Sequence, residues 1–140
     1  SFAIADGQLP SNVKAGYVIR RILRRAVRYA YTFLDLKTSF MCNLIYVLSD
    51  QMGEHFLELK EQKELIKKVV REEEESFLRT LEDGLNRIEE ITRDIEGVVS
   101  GKQVFDLYDT YGIPADLTEL ILSEKNLSFS KEEFDVCLCC

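Results

Sequence analysis

Five arginines are concentrated in one short segment, whose sequence is GYVIRRILRRAVRYAY and which runs over residues 16–31. On a helix of about 100° per residue, they fall within one arc of roughly 140°. They are Arg20, Arg21, Arg24, Arg25 and Arg28. The opposite half holds the aliphatic residues Val18, Ile19, Ile22, Leu23, Ala26, Val27 and Ala30. The spacing predicts a helix with one core-facing side and one side that exposes guanidinium groups. Tyr17 and Tyr31 lie among the arginines and are candidates for stacking.

We call the side of the predicted helix that carries the five arginines the arginine face, and its chemistry is anion binding. Like charges one turn apart repel each other, so an anionic group must offset them. Acidic side chains elsewhere in the fold are one candidate, and phosphates are the other. Arginine in place of lysine favours phosphate somewhat, because its planar fork pairs two oxygens at once and stacks on rings.

The positive charge of this segment contrasts with the negative net charge of the chain. The chain has 140 residues, is 46% hydrophobic and carries a net charge of −7, so a surface attractive to RNA must be local. Six of the 18 Lys and Arg residues lie between Lys14 and Arg28. Neither a signal peptide nor an apolar run long enough for a membrane span is recognisable. The opening SFAIADG resembles an ongoing helix, so we expect a piece of a longer protein.

The four cysteines do not suggest a disulfide framework. Cys42 lies in an apolar helical pattern and is expected to be buried, whereas Cys137, Cys139 and Cys140 crowd a CLCC tail that we expect to be disordered or artefactual. The spacing is unlike that of a metal site, and the one histidine, His55, is distant in sequence. We therefore expect no metal and a reducing, cytoplasmic location.

The periodicity predicts an all-α helical bundle with two small subdomains, residues 1–97 and 98–140. Expected helices follow the arginine segment at Phe40–Met52, about Lys60–Ile95 and from Pro114 or Asp116 to Lys125. Lys102–Tyr111 is expected to form a short helix or a turn, and a capping box at Ser130 and Glu133 indicates a last helix. The helix from Lys60 is expected to be a long strut. The run Glu72 to Glu75 is expected to form its solvated face. We expect no strands.

Catalytic motifs are not recognisable in the sequence. It has one histidine, no G-x-S-x-G, no glycine-rich phosphate loop and no paired metal ligands. Residue chemistry alone therefore indicates a helical bundle with an arginine face.

Three phrases carry a resemblance to the alanyl-tRNA synthetases. They are IADGQLPSNVKAGYVIRRILRRAVRY, EEEESFLRTLEDGL and LYDTYGIPADLT, in the expected order over about residues 2–134. The resemblance implies the tRNA-recognition part of a class II synthetase, with tRNA and the enzyme's catalytic and editing domains as partners and no DNA. It also implies ATP, Mg and Zn for the full-length enzyme. The ATP-binding motifs and zinc-binding editing residues are absent from this sequence, so no cofactor is expected here.

The resemblance further assigns base reading to two residues. An Asn of the LPSN segment and the Asp of LYDTYG, here Asn12 and Asp109, are implied to read the guanine–uracil wobble pair of the acceptor stem. Lys14 and the five arginines are then expected to contact the tRNA backbone. Structural roles are the alternative, with Asn12 capping the arginine helix and Asp109 bracing the turn.

Two departures from the family pattern are visible. Ala15 stands where the family has an arginine before the glycine of RGYVLRR, and Lys14 is the nearest remaining cation. Ile113 replaces the commoner phenylalanine of YGFP. A second hypothesis, from a different functional class, also stays open: a non-catalytic protein-interaction module whose arginine face docks an acidic partner or the enzyme's catalytic domain.

Overall fold

The computed structural model describes residues 1–95 and 97–139. Over these residues the fold is all-α, as predicted, with eight helices and a pair of two-residue strands. The helices are α1 (Phe2–Ala5), α2 (Lys14–Leu34), α3 (Met41–Met52), α4 (Leu57–Glu61), α5 (Lys63–Thr92), α6 (Gly101–Tyr111), α7 (Ala115–Glu124) and α8 (Lys131–Cys139). The strands are β1 (Val98–Val99) and β2 (Ser128–Phe129). None of the helices described is long and apolar enough to cross a membrane.

The chain divides into two compact units. Unit 1 covers Ser1–Leu78 and unit 2 begins at Arg79, so the division falls within α5. The sequence-based boundary at residue 97 instead follows the end of that helix. The predicted long helix is confirmed, because α5 continues for 30 residues.

Unit 1 has a core built from α1 to α4 and the first half of α5. Leu59, Ile66 and Val70 are almost fully buried there, beside Cys42 and Ile45 of α3. Burial of Cys42 confirms its prediction as a small core residue. Helix α4, which has only five residues, was not predicted, because a stretch this short carries too little periodicity to be recognised.

The acidic run of α5 does not form a uniformly solvated face, and that prediction is wrong for Glu73 and Glu74. Glu72 and Glu75 are exposed, whereas the side chain of Glu73 is 10% exposed and Glu74 is 0% exposed. Its carboxylate accepts hydrogen bonds from the backbone N–H groups of Phe40 (2.9 Å) and Met41 (3.1 Å) and from the hydroxyl of Ser39 (2.9 Å). Glu74 therefore serves as the cap of α3 from a distant part of the chain, where an anion also complements the helix dipole.

Unit 2 packs α6 against α8. Phe134 of α8 contacts the rings of Phe105, Tyr108 and Phe129, with centroids 6.3, 6.1 and 5.9 Å away. The two strands pair in parallel, with Val99 opposite Phe129. The expectation of no strands is therefore wrong for these two short strands, because two residues are too few to show alternation.

The capping box at the start of α8 is confirmed in part. The backbone N–H of Glu133 donates to the Ser130 hydroxyl at 3.4 Å. The Glu133 carboxylate does not return to Ser130, however. It accepts from the backbone N–H of Gly101 (2.9 Å) and the hydroxyl of Ser100 (3.1 Å), and so joins α8 to the start of α6.

Candidate nucleic-acid interface

Helix α2 is rotated about its axis from the orientation that the sequence predicts. Its buried side contains Leu23, Val27 and Ala30, as expected, but also Arg28, which is 3% exposed. On the side that faces solvent, five exposed residues lie within an arc of about 80°. We call them the exposed stripe, and they are Val18, Ile22, Arg25, Tyr29 and Phe33. The prediction of a core-facing Val18 and Ile22 and a solvent-facing Arg28 is therefore wrong.

Glu73 of α5 explains this rotation. Its carboxylate lies 2.7 Å from two nitrogens of Arg24, Nε and a terminal nitrogen, and 3.1 Å from Nε of Arg20. The Arg24 guanidinium also lies over the ring of Phe77, 5.1 Å from its centroid. A carboxylate inside the fold thus offsets part of the arginine face. The alternative that acidic side chains of the fold offset the arginine charges therefore holds for Arg20 and Arg24.

The remaining cations of this segment lie closer to solvent. Arg25 is exposed, and no ion pair to it is formed within residues 1–95 and 97–139. Lys14 is exposed as the first residue of α2, and Arg21 is half-buried with its guanidinium 5.9 Å from the centroid of Tyr17. Tyr31 is half-buried. The charge offered to solvent is therefore smaller than five arginines suggest, and Lys14 and Arg25 carry the most accessible part of it.

The C-terminal half of α2 holds an aromatic pair that was not predicted from the sequence. The rings of Tyr29 and Phe33 are stacked, with centroids 5.4 Å apart and planes 24° apart. The Arg28 guanidinium lies 5.4 Å from the first centroid and 5.6 Å from the second. The signal was available, since two aromatic residues four positions apart on a helix are neighbours.

The loop before α2 is held tightly against its first turn. The backbone N–H of Ser11 donates to the carbonyl of Gly16 at 3.0 Å. A Cβ on Gly16 would lie 2.5 Å from the carbonyl oxygen of Leu9 and 2.1 Å from Oγ of Ser11, so only glycine permits this approach. Gly16 therefore lets the loop and the first turn of the helix approach each other closely.

This loop carries Asn12, and the structure does not use Asn12 as a cap. The N-cap of α2 is Val13, and it lacks a side-chain capping bond. Instead the side-chain oxygen of Asn12 accepts a hydrogen bond from the guanidinium of Arg20. Because an amide has separate donor and acceptor ends, this bond occupies the oxygen and leaves the exposed NH₂ group as a donor.

Asp109 lies on the exposed side of α6, in unit 2. The turn that follows is braced by other groups. Gly112 ends α6 with a φ of 66°, and the hydroxyl of Thr80 donates to the Tyr111 carbonyl at 2.8 Å. Within the described part of the chain, the Asp109 carboxylate forms no hydrogen bond or ion pair. Its proposed structural role in the turn is therefore not supported, and it remains an exposed acceptor.

Metal ligands do not cluster in the part of the chain that the structure describes. No group of three or more His, Cys, Asp or Glu side chains is arranged there to hold an ion. Cys137 and Cys139 lie in α8, which corrects the expectation of a disordered tail for these two, while Cys140 lies outside the described residues.

Comparison with known proteins adds the family context. The family model described as tRNA synthetases class II (A) matches residues 1–138. The alanine–tRNA ligase of Bacteroides fragilis is 59% identical over 139 residues, which cover 96% of this chain and 16% of that protein. The enzyme of the same name from Flavobacterium psychrophilum is 55% identical over 139 residues, covering 99% of this chain and 16% of its length. The chain thus spans about a sixth of these curated relatives.

Proposed function

Because the chain belongs to the class II tRNA synthetase (A) family, we propose that it is the acceptor-stem recognition part of an alanine–tRNA ligase. The whole enzyme would attach alanine to tRNA with ATP, and this part would select the tRNA without itself doing chemistry. The observation that carries the proposal is the 59% identity to an alanine–tRNA ligase over 96% of the chain. The cytoplasm, where tRNA is charged, is the corresponding location.

The RNA backbone would be contacted by the accessible cations of α2. Lys14 and Arg25 are exposed, and Arg21 is half-buried beside Tyr17. Arg20 and Arg24 are partly neutralised by Glu73, so their contribution to the affinity for phosphate is smaller. Arg28 is buried and would stabilise the helix surface through its contacts with the rings of Tyr29 and Phe33. We therefore assign about two to three phosphate contacts to this helix rather than five.

Base reading by Asn12 would use its NH₂ group. The bond from Arg20 fixes the amide and occupies its oxygen, so the residue offers donors to the RNA. A wobble pair displaces the uracil and leaves a uracil carbonyl oxygen without a Watson–Crick partner. That oxygen is an acceptor of the kind that a fixed amide donor recognises.

Base reading by Asp109 would use the opposite polarity. A carboxylate only accepts hydrogen bonds, and the amino group of a wobble-paired guanine is a donor without its usual partner. In A-form RNA this amino group is exposed in the wide, shallow minor groove. The exposure of Asp109 and the lack of any described partner for its carboxylate support this assignment.

A second candidate function is favoured by the apolar part of the exposed stripe. Val18 is 43% exposed and Ile22 is 64% exposed, which is unusual for large aliphatic residues on an amphipathic helix. They fit a protein-docking role, in which the helix packs against another part of the ligase.

RNA binding at low salt separates the two candidates. An acceptor-stem hairpin is titrated with the chain at several salt concentrations. If the chain recognises the acceptor stem, log affinity falls linearly with log salt, with a slope of about −0.7 to −0.9 for each phosphate contact, so roughly −1.4 to −2.7 for two to three contacts. Absence of binding at low salt would overturn the proposal and favour the protein-docking role.

A further inference from the structure

The stacked rings of Tyr29 and Phe33 form an aromatic surface that faces solvent. Phe33 is 62% exposed and Tyr29 is 36% exposed, so one ring of the pair is largely uncovered. Water around an uncovered aromatic ring is released when another flat group stacks on it. The pair is therefore a surface on which a further planar group gains stability.

Arg28 fixes this surface from beneath. Its side chain is 3% exposed and its guanidinium lies within 5.6 Å of both ring centroids, so the two rings cover a buried cation. Each ring is attracted to the charge through its electron-rich face. Holding the rings in this way reduces the conformational entropy that a ligand would otherwise have to remove on binding.

The charge beside the rings indicates the chemistry of the occupant. Arg25 lies one helical turn before Tyr29 on the same exposed stripe, and no ion pair to it forms in the described residues. A planar group attached to an anion satisfies both features. A nucleotide has this combination, since its base stacks on aromatic rings and its phosphate pairs with arginine.

We propose that Tyr29 and Phe33 form a stacking platform for an unpaired base of the bound RNA, with the adjoining phosphate held by Arg25. This inference rests on the proposed function, because it requires that the chain bind RNA. It adds a contact to a single-stranded nucleotide, separate from the reading of a base pair by Asn12 and Asp109. A stem with a single-stranded end would then bind better than a blunt stem.

The test compares two hairpins of the same stem, one blunt and one with a short 3′ overhang that carries 2-aminopurine. We expect the purified chain to bind the overhang hairpin about 5-fold to 150-fold more tightly, the fold-change that corresponds to roughly 1–3 kcal/mol for a stacked base. We also expect 2-aminopurine fluorescence to be quenched on binding. Phe33→Leu and the double variant Tyr29→Leu/Phe33→Leu should lose both effects and keep the salt slope of the blunt hairpin.

A matched control comes from another exposed ring of unit 1. Phe56 is 42% exposed and contacts Phe2 edge to face at 5.0 Å, so Phe56→Leu should retain the preference for the overhang. The single Phe33 variant removes only the outer ring, so it stays informative if the double variant unfolds. Equal affinity for both hairpins in the unmodified chain, with a normal salt slope, would overturn the platform alone and favour an apolar protein segment on these rings. Absence of any RNA binding would overturn the proposed function as well.

Discussion

Arg20 donates a hydrogen bond to the side-chain oxygen of Asn12, eight residues earlier in the chain. The same guanidinium has its Nε 3.1 Å from the carboxylate of Glu73. Asn12 is therefore oriented by an arginine that is itself held by the core-facing side of α5. These contacts link a candidate base-reading group to Glu73, whose side chain is only 10% exposed.

Replacing Glu73 tests this linkage. In Glu73→Gln, Arg20 and Arg24 lose a carboxylate that is only 10% exposed, so we expect a loss of about 1–3 kcal/mol in the free energy of unfolding. The released guanidinium groups should make the salt slope of RNA binding steeper by up to about two phosphate contacts. Urea unfolding and salt titration measure the two effects. Glu72→Gln changes the net charge equally but removes an exposed group, so an equal effect on the slope in both variants would contradict the linkage.

Arg25 and Arg28 should behave differently although both belong to the arginine face of the sequence. Arg25→Ala should weaken binding of wobble and Watson–Crick hairpins about equally and reduce the salt slope by roughly one, because Arg25 is exposed. Arg28→Ala should mainly lower stability, since its guanidinium is buried beneath two rings. The measurements are hairpin affinity against salt and thermal unfolding. An equal loss of salt slope in both variants would contradict the assignment of Arg25 as a phosphate contact and of Arg28 as a structural residue.

Gly16→Ala should destabilise the chain, although alanine normally favours a helix over glycine by about 0.5–1 kcal/mol. The new Cβ would lie 2.5 Å from the backbone oxygen of Leu9, which cannot rotate away, and such overpacking typically costs about 1–3 kcal/mol. The displaced loop should also weaken base discrimination by Asn12. Ala15→Gly, at an exposed neighbouring position, should lose some stability and keep the discrimination. A gain in stability for Gly16→Ala would show that the loop does not require this contact.

Glu74→Ala should be among the most destabilising changes to the acidic run. It removes the acceptor of two backbone N–H groups at the start of α3, and we expect a loss of about 2–4 kcal/mol in the free energy of unfolding. Glu74→Gln keeps one oxygen and should lose less. Chemical denaturation measures both, with exposed Glu72→Ala as the control, expected within about 0.5 kcal/mol of the unmodified chain. Similar losses at Glu72 and Glu74 would be inconsistent with the cap.

Local signals in the sequence predict the helices well. The arginine helix, the long α5 and the end of α6 at Tyr111 depend on residues within a turn or two of one another, so periodicity and turn chemistry are sufficient to find them. The exposed Asn12 and Asp109 came from the family resemblance, because neither lies in a pattern that periodicity distinguishes.

Long-range pairing explains what the sequence did not predict. The rotation of α2 depends on Glu73, which is 49 residues beyond Arg24. The burial of Glu74 likewise depends on backbone groups 33 and 34 residues away. Periodicity predicts an exposed position for each acidic residue of α5. It contains no information about the distant N–H or guanidinium donors with which these carboxylates pair. Buried counter-charges of this kind are found only once the helices are packed.

The central claim is that Asn12 and Asp109 read a wobble pair, and the most direct test is the affinity ratio of two hairpins that differ only in that pair. We expect the chain to prefer the wobble hairpin by a factor that corresponds to about 1–3 kcal/mol. Asn12→Asp keeps an acceptor for Arg20 but lacks the NH₂ donor, so the preference should fall with the salt slope unchanged. Asp109→Ala should also reduce it, whereas Asp106→Ala, at another exposed position of α6, should not. A ratio that is the same in the unmodified chain, Asn12→Asp and Asp109→Ala, with normal helical content by circular dichroism, would contradict the claim.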